Sequence, residues 1–114
     1  MKVKKTSSLK IRVTRGSGNV FADLGLSNPE ERLAKADLAI AISQAIKELG
    51  LSQRRAAALM GIDQPKVSHL LRGRLADFST ERLMNFLIGL GRDVHIVVRR
   101  APKSRKRGRL HVAA

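Results

Sequence analysis

Cysteine, tryptophan and tyrosine are all absent from this chain of 114 residues, and its only aromatics are three phenylalanines. Without cysteine there is no disulfide framework, no thiolate nucleophile and no Cys-based zinc site, a pattern that fits a reducing cytosol. With so few aromatics, the core has to be built from Leu, Ile, Val, Ala and Met, which suits packed helices. Long apolar runs are missing as well. No stretch approaches the roughly 18 apolar residues of a membrane span, and the basic N-terminus, MKVKKTSSLKIRVTR, has no apolar run of signal-peptide length. The expectation is a soluble cytoplasmic chain with no membrane partner. Acidic residues are scarce, nine against 23 Lys plus Arg. That leaves little for carboxylate-based catalysis, and no Ser/His/Asp arrangement is suggested by spacing. His69, His95 and His111 stand far apart without metal-ligand spacing, and the GSG at 16–18 is followed by no P-loop lysine. No catalytic residue, metal site or cofactor is therefore expected.

What is abundant is positive charge, a formal +14 at pH 7, which points to a polyanionic partner. The excess is uneven. Residues 1–28 hold six basic and one acidic side chains, 29–50 three and four, 51–92 seven and three, and 93–114 seven and one. The middle and both ends are basic, whereas the long stretch before residue 50 is not. A hydrophobic content of 43% in a chain of this length indicates one folded domain with a modest core.

Periodicity divides the chain further. Residues 1–18 read as a basic, flexible arm, with a brief alternation at Leu9, Ile11 and Val13, and NVFADLG at 19–25 looks like one helical turn. SNPEERLAKADLAIAISQAIKELG carries the strongest helix signals: Asn28 as cap, Pro29 in the first turn, Glu31 at capping-box spacing, and Lys47 and Gly50 at the end. Its apolar stripe is read as Ala39, Ile42, Ile46 and Leu49, widened by Leu38 and Ile40. Ser52 caps a second helix, short and rich in alanine, whose inward side is Ala56, Ala57 and Met60. STERLMNFLIGLG gives a further helix with Leu83, Phe86, Leu87 and Leu90 on one face. Met84 and Ile88 lie off that face and are assigned to a dimer contact. DVHIVVRR alternates Val94, Ile96 and Val98 as a half-buried strand over 93–100, which needs a partner strand, either the weak segment around Ile11 or the same strand of a second copy of the chain. Residues 101–114 form a polybasic tail expected to be disordered.

The chemistry concentrates in GIDQPKVSHLLRG, residues 61–73. On a helical wheel Gln64, Pro65, Ser68, His69 and Arg72 share an arc of roughly 140°, with Val67, Leu70 and Leu71 opposite and Lys66 at the seam. One face docks and the other is free. Asp63 serves as N-cap, and Pro65 in the first turn sacrifices no intrahelical bond, although it disfavours helical geometry at Gln64. Two helices around the turn MGID, the second presenting a polar face from its N-terminus, have the layout of a helix-turn-helix.

At this point the residues become recognisable. LSQRRAAALMGIDQPKVSHLLRGR resembles the DNA-binding unit of the Xre/Cro family of phage-repressor-like regulators. The match rests on Leu51, Ser52 and Gln53 at the start, Ala57 as the small packing residue, Gly61 and Ile62 in the turn, and Val67, Leu70 and Gly73 in and after the second helix. Ala56 stands where the family usually has leucine, and Leu71 where it often has glutamate. Roughly residues 18–100 resemble a compact subgroup that includes HigA-type antitoxins. The resemblance implies an all-α, phage-repressor-like helix-turn-helix domain at 19–92, with four to five helices, the motif at about 52–73 and a short C-terminal β-strand. It places base reading on Gln64, Pro65 and His69, with Ser68 close by, and phosphate contacts on Ser52 and Gln53. Lys66, Arg72 and Arg74 would add charge to those contacts. An amide can hold adenine through two hydrogen bonds, and proline offers only apolar contact, for example to a thymine methyl.

The expected protein is a dimeric regulator, in all expectation a repressor, that binds double-stranded DNA at a palindromic operator in the nucleoid. Its dimer contact would combine Met84, Ile88, Val94, Ile96 and Val98. Two rivals stand beside it. One is an antitoxin that masks a small basic ribonuclease toxin through the region from Asp23 to Asp37 and autoregulates its operon. The other is a non-specific nucleic-acid coat that uses both basic ends.

Overall fold

The computed structural model describes residues 28–113. The basic arm at 1–18, its alternation around Ile11 and the helical turn expected at 19–25 lie outside these residues. Four helices follow one another: α1 (Asn28–Glu48), α2 (Gln53–Met60), α3 (Gln64–Leu71) and α4 (Thr80–Gly89). There is no strand among the described residues.

α1 runs for 21 residues, with Glu30 and Glu31 in its first turn and Lys47 in its last, each charge placed to favour the helix dipole. It ends at Gly50, whose φ of 65° lets the Leu51 N–H reach back to the Ile46 carbonyl at 3.1 Å. Its buried stripe is Ala34, Lys35, Leu38, Ile42, Ala45 and Ile46. Two of the residues expected there are exposed instead, Ile40 at 54% and Leu49 at 45%. On the wheel Ile40 falls about 180° from the middle of that buried stripe, on the outer face, and Leu49 follows the last helical residue, in the turn.

α4 lies chiefly against α1, and α2 against α3, with α2 also touching α4. Between the helices sits one core cluster that includes Leu38, Ile42, Ala56, Val67, Leu70, Leu83, Phe86 and Leu87. The four residues expected on the inner face of α4 are all buried. The aromatics contribute more than their number suggested. Phe78 and Phe86 are both buried, meet edge to face with ring centroids 5.8 Å apart, and hold the Arg82 guanidinium 5.5 Å from each ring, a cation–π arrangement that favours charge over the ring faces.

One contact fixes how closely α4 approaches the helix pair. A β-carbon built on Gly89 would lie 2.6 Å from the Leu59 carbonyl oxygen. Only glycine lets the end of α4 pass the backbone of α2 at this distance.

The segment 93–100, expected as a strand, has no ladder here. Only Val94 packs against the core, while Ile96, Val97 and Val98 are exposed at 68%, 67% and 82%. Alternating side chains give a strand two faces but no hydrogen-bond partner, and within one chain none of the described residues supplies it. Residues 101–113 contain no helix or strand either, yet they return to the body: the Leu110 N–H donates to the Glu30 carboxylate at 3.3 Å, and Val112 packs against the core.

Candidate nucleic-acid interface

α2 starts where Ser52, in extended geometry, accepts the Arg55 N–H on its hydroxyl oxygen at 3.1 Å. This satisfies one of the donors that a helix N-terminus leaves unpaired. The serine is exposed, and its hydroxyl proton is still available to donate outward. Gln53 follows, half-buried, at the first helical position.

α2 stops at Gly61, which adopts the left-handed conformation (φ 75°) and donates to the Ala57 carbonyl at 2.8 Å, with the Ile62 N–H reaching the same oxygen at 3.1 Å. A β-carbon disfavours that backbone geometry, which is why a glycine occupies the turn. Ile62 packs half-buried on the core. The turn is thus held from inside by Ile62 and along the backbone by Ala57.

α3 begins at Gln64, with Asp63 extended before it (φ −76°, ψ 154°). The proline does not delay the helix: Gln64 is its first residue and Pro65 its second. Asp63 occupies the cap position, but its side chain makes no capping hydrogen bond. Its backbone carbonyl does the tying, accepting from Lys66 and Val67 at 3.1 and 3.3 Å. On the inner side Val67 and Leu70 are fully buried, each worth roughly 1.5–3 kcal/mol of transfer free energy, and Leu71 is half-buried against the same core. On the outer side Gln64, Pro65, Lys66 and His69 are exposed and Ser68 is half-buried. The two arcs read from the wheel are therefore the docked and the free faces of α3.

The helix ends in a turn through Gly73 (φ 81°), in which the Arg74 N–H bonds to the His69 carbonyl at 2.9 Å. Arg72 and Arg74 leave this turn exposed. The loop beyond is anchored by Lys35, whose buried ammonium lies 3.3 Å from the Glu31 carboxylate and 3.5 Å from the Leu75 carbonyl. Sequence patterning gave no hint of that anchor, because a lysine on an amphipathic helix is ordinarily read as solvated.

The two ion pairs among the described residues are Lys35–Glu31 and Arg92–Glu48. Neither involves Lys66, Arg72 or Arg74, so these cations face an outside anion without internal competition. Arg54 and Arg55, unassigned in the sequence reading, are also exposed in the first turn of α2. Their position beside Ser52 and Gln53 is the signal that could have marked them. The expected dimer residues divide: Met84 and Val94 are half-buried against the chain's own core, whereas Ile88, Ile96 and Val98 are exposed. Among the described residues no group of three or more His, Asp or Glu is placed to hold a metal ion, and no helix is long and apolar enough to cross a membrane.

A pair of helices locked by a glycine turn, the second docked by one face and bare on the other, defines a helix-turn-helix protein. A family profile described as a helix-turn-helix domain matches residues 20–99. A solved structure provisionally named an XRE-family transcriptional regulator is 48% identical, with 77% of this chain and 99% of that one covered and a TM-score of 0.72. No curated protein matches the chain. The chain belongs to the XRE-type helix-turn-helix family of DNA-binding transcriptional regulators.

Proposed function

We propose that this protein is a sequence-specific repressor that binds a palindromic operator as a homodimer, and that it works in the cytoplasm on nucleoid DNA without catalysing any reaction. The observation that carries the reading is the bare outer face of α3. Gln64, Pro65 and His69 are exposed there while Val67 and Leu70 seat the helix rigidly. In the major groove the Gln64 amide reads adenine through two hydrogen bonds, and Pro65 makes apolar contact with a thymine methyl. Ser68 and His69 read the next positions along the helix. Ser52 and Gln53, at the N-terminus of α2, take backbone phosphate, with Lys66, Arg72, Arg74, Arg54 and Arg55 supplying charge around them.

Exposure of Ile88, Ile96 and Val98 supports the dimer, since apolar surface of this kind is better covered. Pairing of residues 93–100 from two copies would also provide the ladder that a single chain lacks. Two recognition helices related by a two-fold axis would then enter successive major grooves about 34–36 Å apart.

The antitoxin reading places a basic toxin on the region from Asp23 to Asp37. Glu31 pairs with Lys35 and Glu30 accepts from the Leu110 backbone, so the acidic attraction there is already engaged, and we favour the repressor. Selection of binding sites from random duplexes at physiological salt tests the reading, together with the oligomeric state in solution. An inverted repeat with half-sites one helical turn apart and a dimeric protein are expected. Recovery of unrelated sequences with uniform affinity would overturn the reading in favour of a non-specific coat, and co-purification with a small basic protein would favour the antitoxin.

A further inference from the structure

The basic segment after α4 is held to the body at both of its ends. Val94 packs on the core at one end; at the other, Val112 packs on it and the Leu110 N–H donates to Glu30 at 3.3 Å. Between these anchors the chain turns at Pro102, whose carbonyl accepts the Arg105 N–H at 3.1 Å. Arg99, Arg100, Lys103, Lys106, Arg107 and Arg109 are all exposed along it. None of them takes part in either ion pair of the described residues, and the one acidic residue in 93–113 is Asp93. Six like charges confined to a short anchored loop repel one another, and a polyanion laid against them relieves that cost. Arg105 differs from the six, being half-buried with a buried Nη1 that has no hydrogen-bond acceptor.

The anchors also say where this loop lies. Glu30 is in the first turn of α1, and Lys35, which reaches the Leu75 carbonyl, follows five residues later, about 7.5 Å along the axis. The returning end of the loop therefore meets the same end of α1 that touches the exit of α3, where Arg72 and Arg74 are exposed. That rise is comparable to the Debye length at physiological ionic strength.

We infer that residues 99–111 form a second DNA-contacting element: a pinned cationic loop that grips the phosphate backbone flanking the base pairs read by α3. This rests on the DNA-binding reading above. Anchoring matters to the function, because a loop already held near the duplex loses less freedom on binding than a free tail of equal charge. The contacts are to phosphate and carry no sequence information.

The test uses the full chain and two variants. In the first, Arg99, Arg100, Lys103, Lys106, Arg107 and Arg109 are all changed to Gln. In the second, Leu110→Pro with Val112→Ser removes both returning anchors and keeps every charge. Binding to a mixed-sequence duplex of about 30 base pairs is measured across a salt series, and each lost phosphate contact lowers the slope of log Kobs against log [salt] by about 0.9. For the six-fold variant the slope falls by about 2 to 5, equally on a selected site and a scrambled one. For the unpinned variant, affinity falls about threefold or more at physiological salt. An unchanged slope in the six-fold variant overturns the inference and leaves a solvated tail. Unchanged affinity in the unpinned variant overturns the pinning. Circular dichroism checks that both variants keep the four helices, none of which the substitutions enter. If the tail fails while Gln64→Ala still loses specific binding, only this inference falls; if Gln64→Ala has no effect either, the DNA-reading assignment falls with it.

Discussion

Val67 and Val98 are both valines next to a basic residue, yet the first is fully buried and the second is 82% exposed. The difference lies in what closes the backbone around them. Val67 stands in a helix, where every hydrogen bond comes from residues three or four away. The glycine turn and Ile62 then aim that helix at the core. Val98 stands in a segment whose alternation would suit a strand, but a strand is completed only by another strand. A helix is a local solution, and a strand is not.

Substitutions at matched positions can break or sharpen this contrast. Leu70→Ala removes a fully buried side chain from α3 and should cost about 2–5 kcal/mol in denaturant unfolding. A loss well under that range would mean that α3 is not seated as described. Gly89→Ala follows, at about 1–3 kcal/mol destabilising, because the new methyl meets a backbone carbonyl that cannot swing away. The sign is the informative part: in an open helix the same change would stabilise by about 0.5–1 kcal/mol. Ser52→Ala deletes the cap of α2 and should cost about 1 kcal/mol. Smallest is Val98→Ala, within about 0.5 kcal/mol at protein concentrations where the chain is monomeric. A loss that grows with protein concentration would instead place Val98 in the dimer contact.

The same contrast explains how much could be read beforehand. The bounds of the helix-turn-helix, the buried side of α2, the inner face of α4 and both faces of α3 were legible, since each rests on spacing within eight or ten residues. The capping serines, Ser52 and Ser79, act within one turn, although only Ser52 was singled out. What escaped depends on partners distant in sequence. Lys35 is buried because Leu75, 40 residues away, offers it a carbonyl. Gly89 is required because α4 passes Leu59. The tail was expected to be disordered, and its return to Glu30 could not be inferred from a run of lysines and arginines. Ile40 was placed on the wrong side of α1 for a simpler reason: in so apolar a helix several stripes fit, and the true one was chosen by α4.

The outward face of α3 was more legible than the fold around it. An outward-facing side chain has to meet only the local condition of lying opposite the docked ones, and Gln64, Pro65 and His69 meet it. Their role as base readers is a claim about chemistry, and binding decides it.

The most direct measurement is the affinity of the unchanged protein, Gln64→Ala and Arg74→Ala for a selected operator and for a scrambled duplex of equal length, all at one salt concentration. Gln64→Ala should lose about 1–3 kcal/mol on the operator alone and relax the preference at one base pair, while Arg74→Ala weakens both duplexes alike. Equal losses on operator and scrambled DNA for Gln64→Ala would contradict base reading by the outer face of α3.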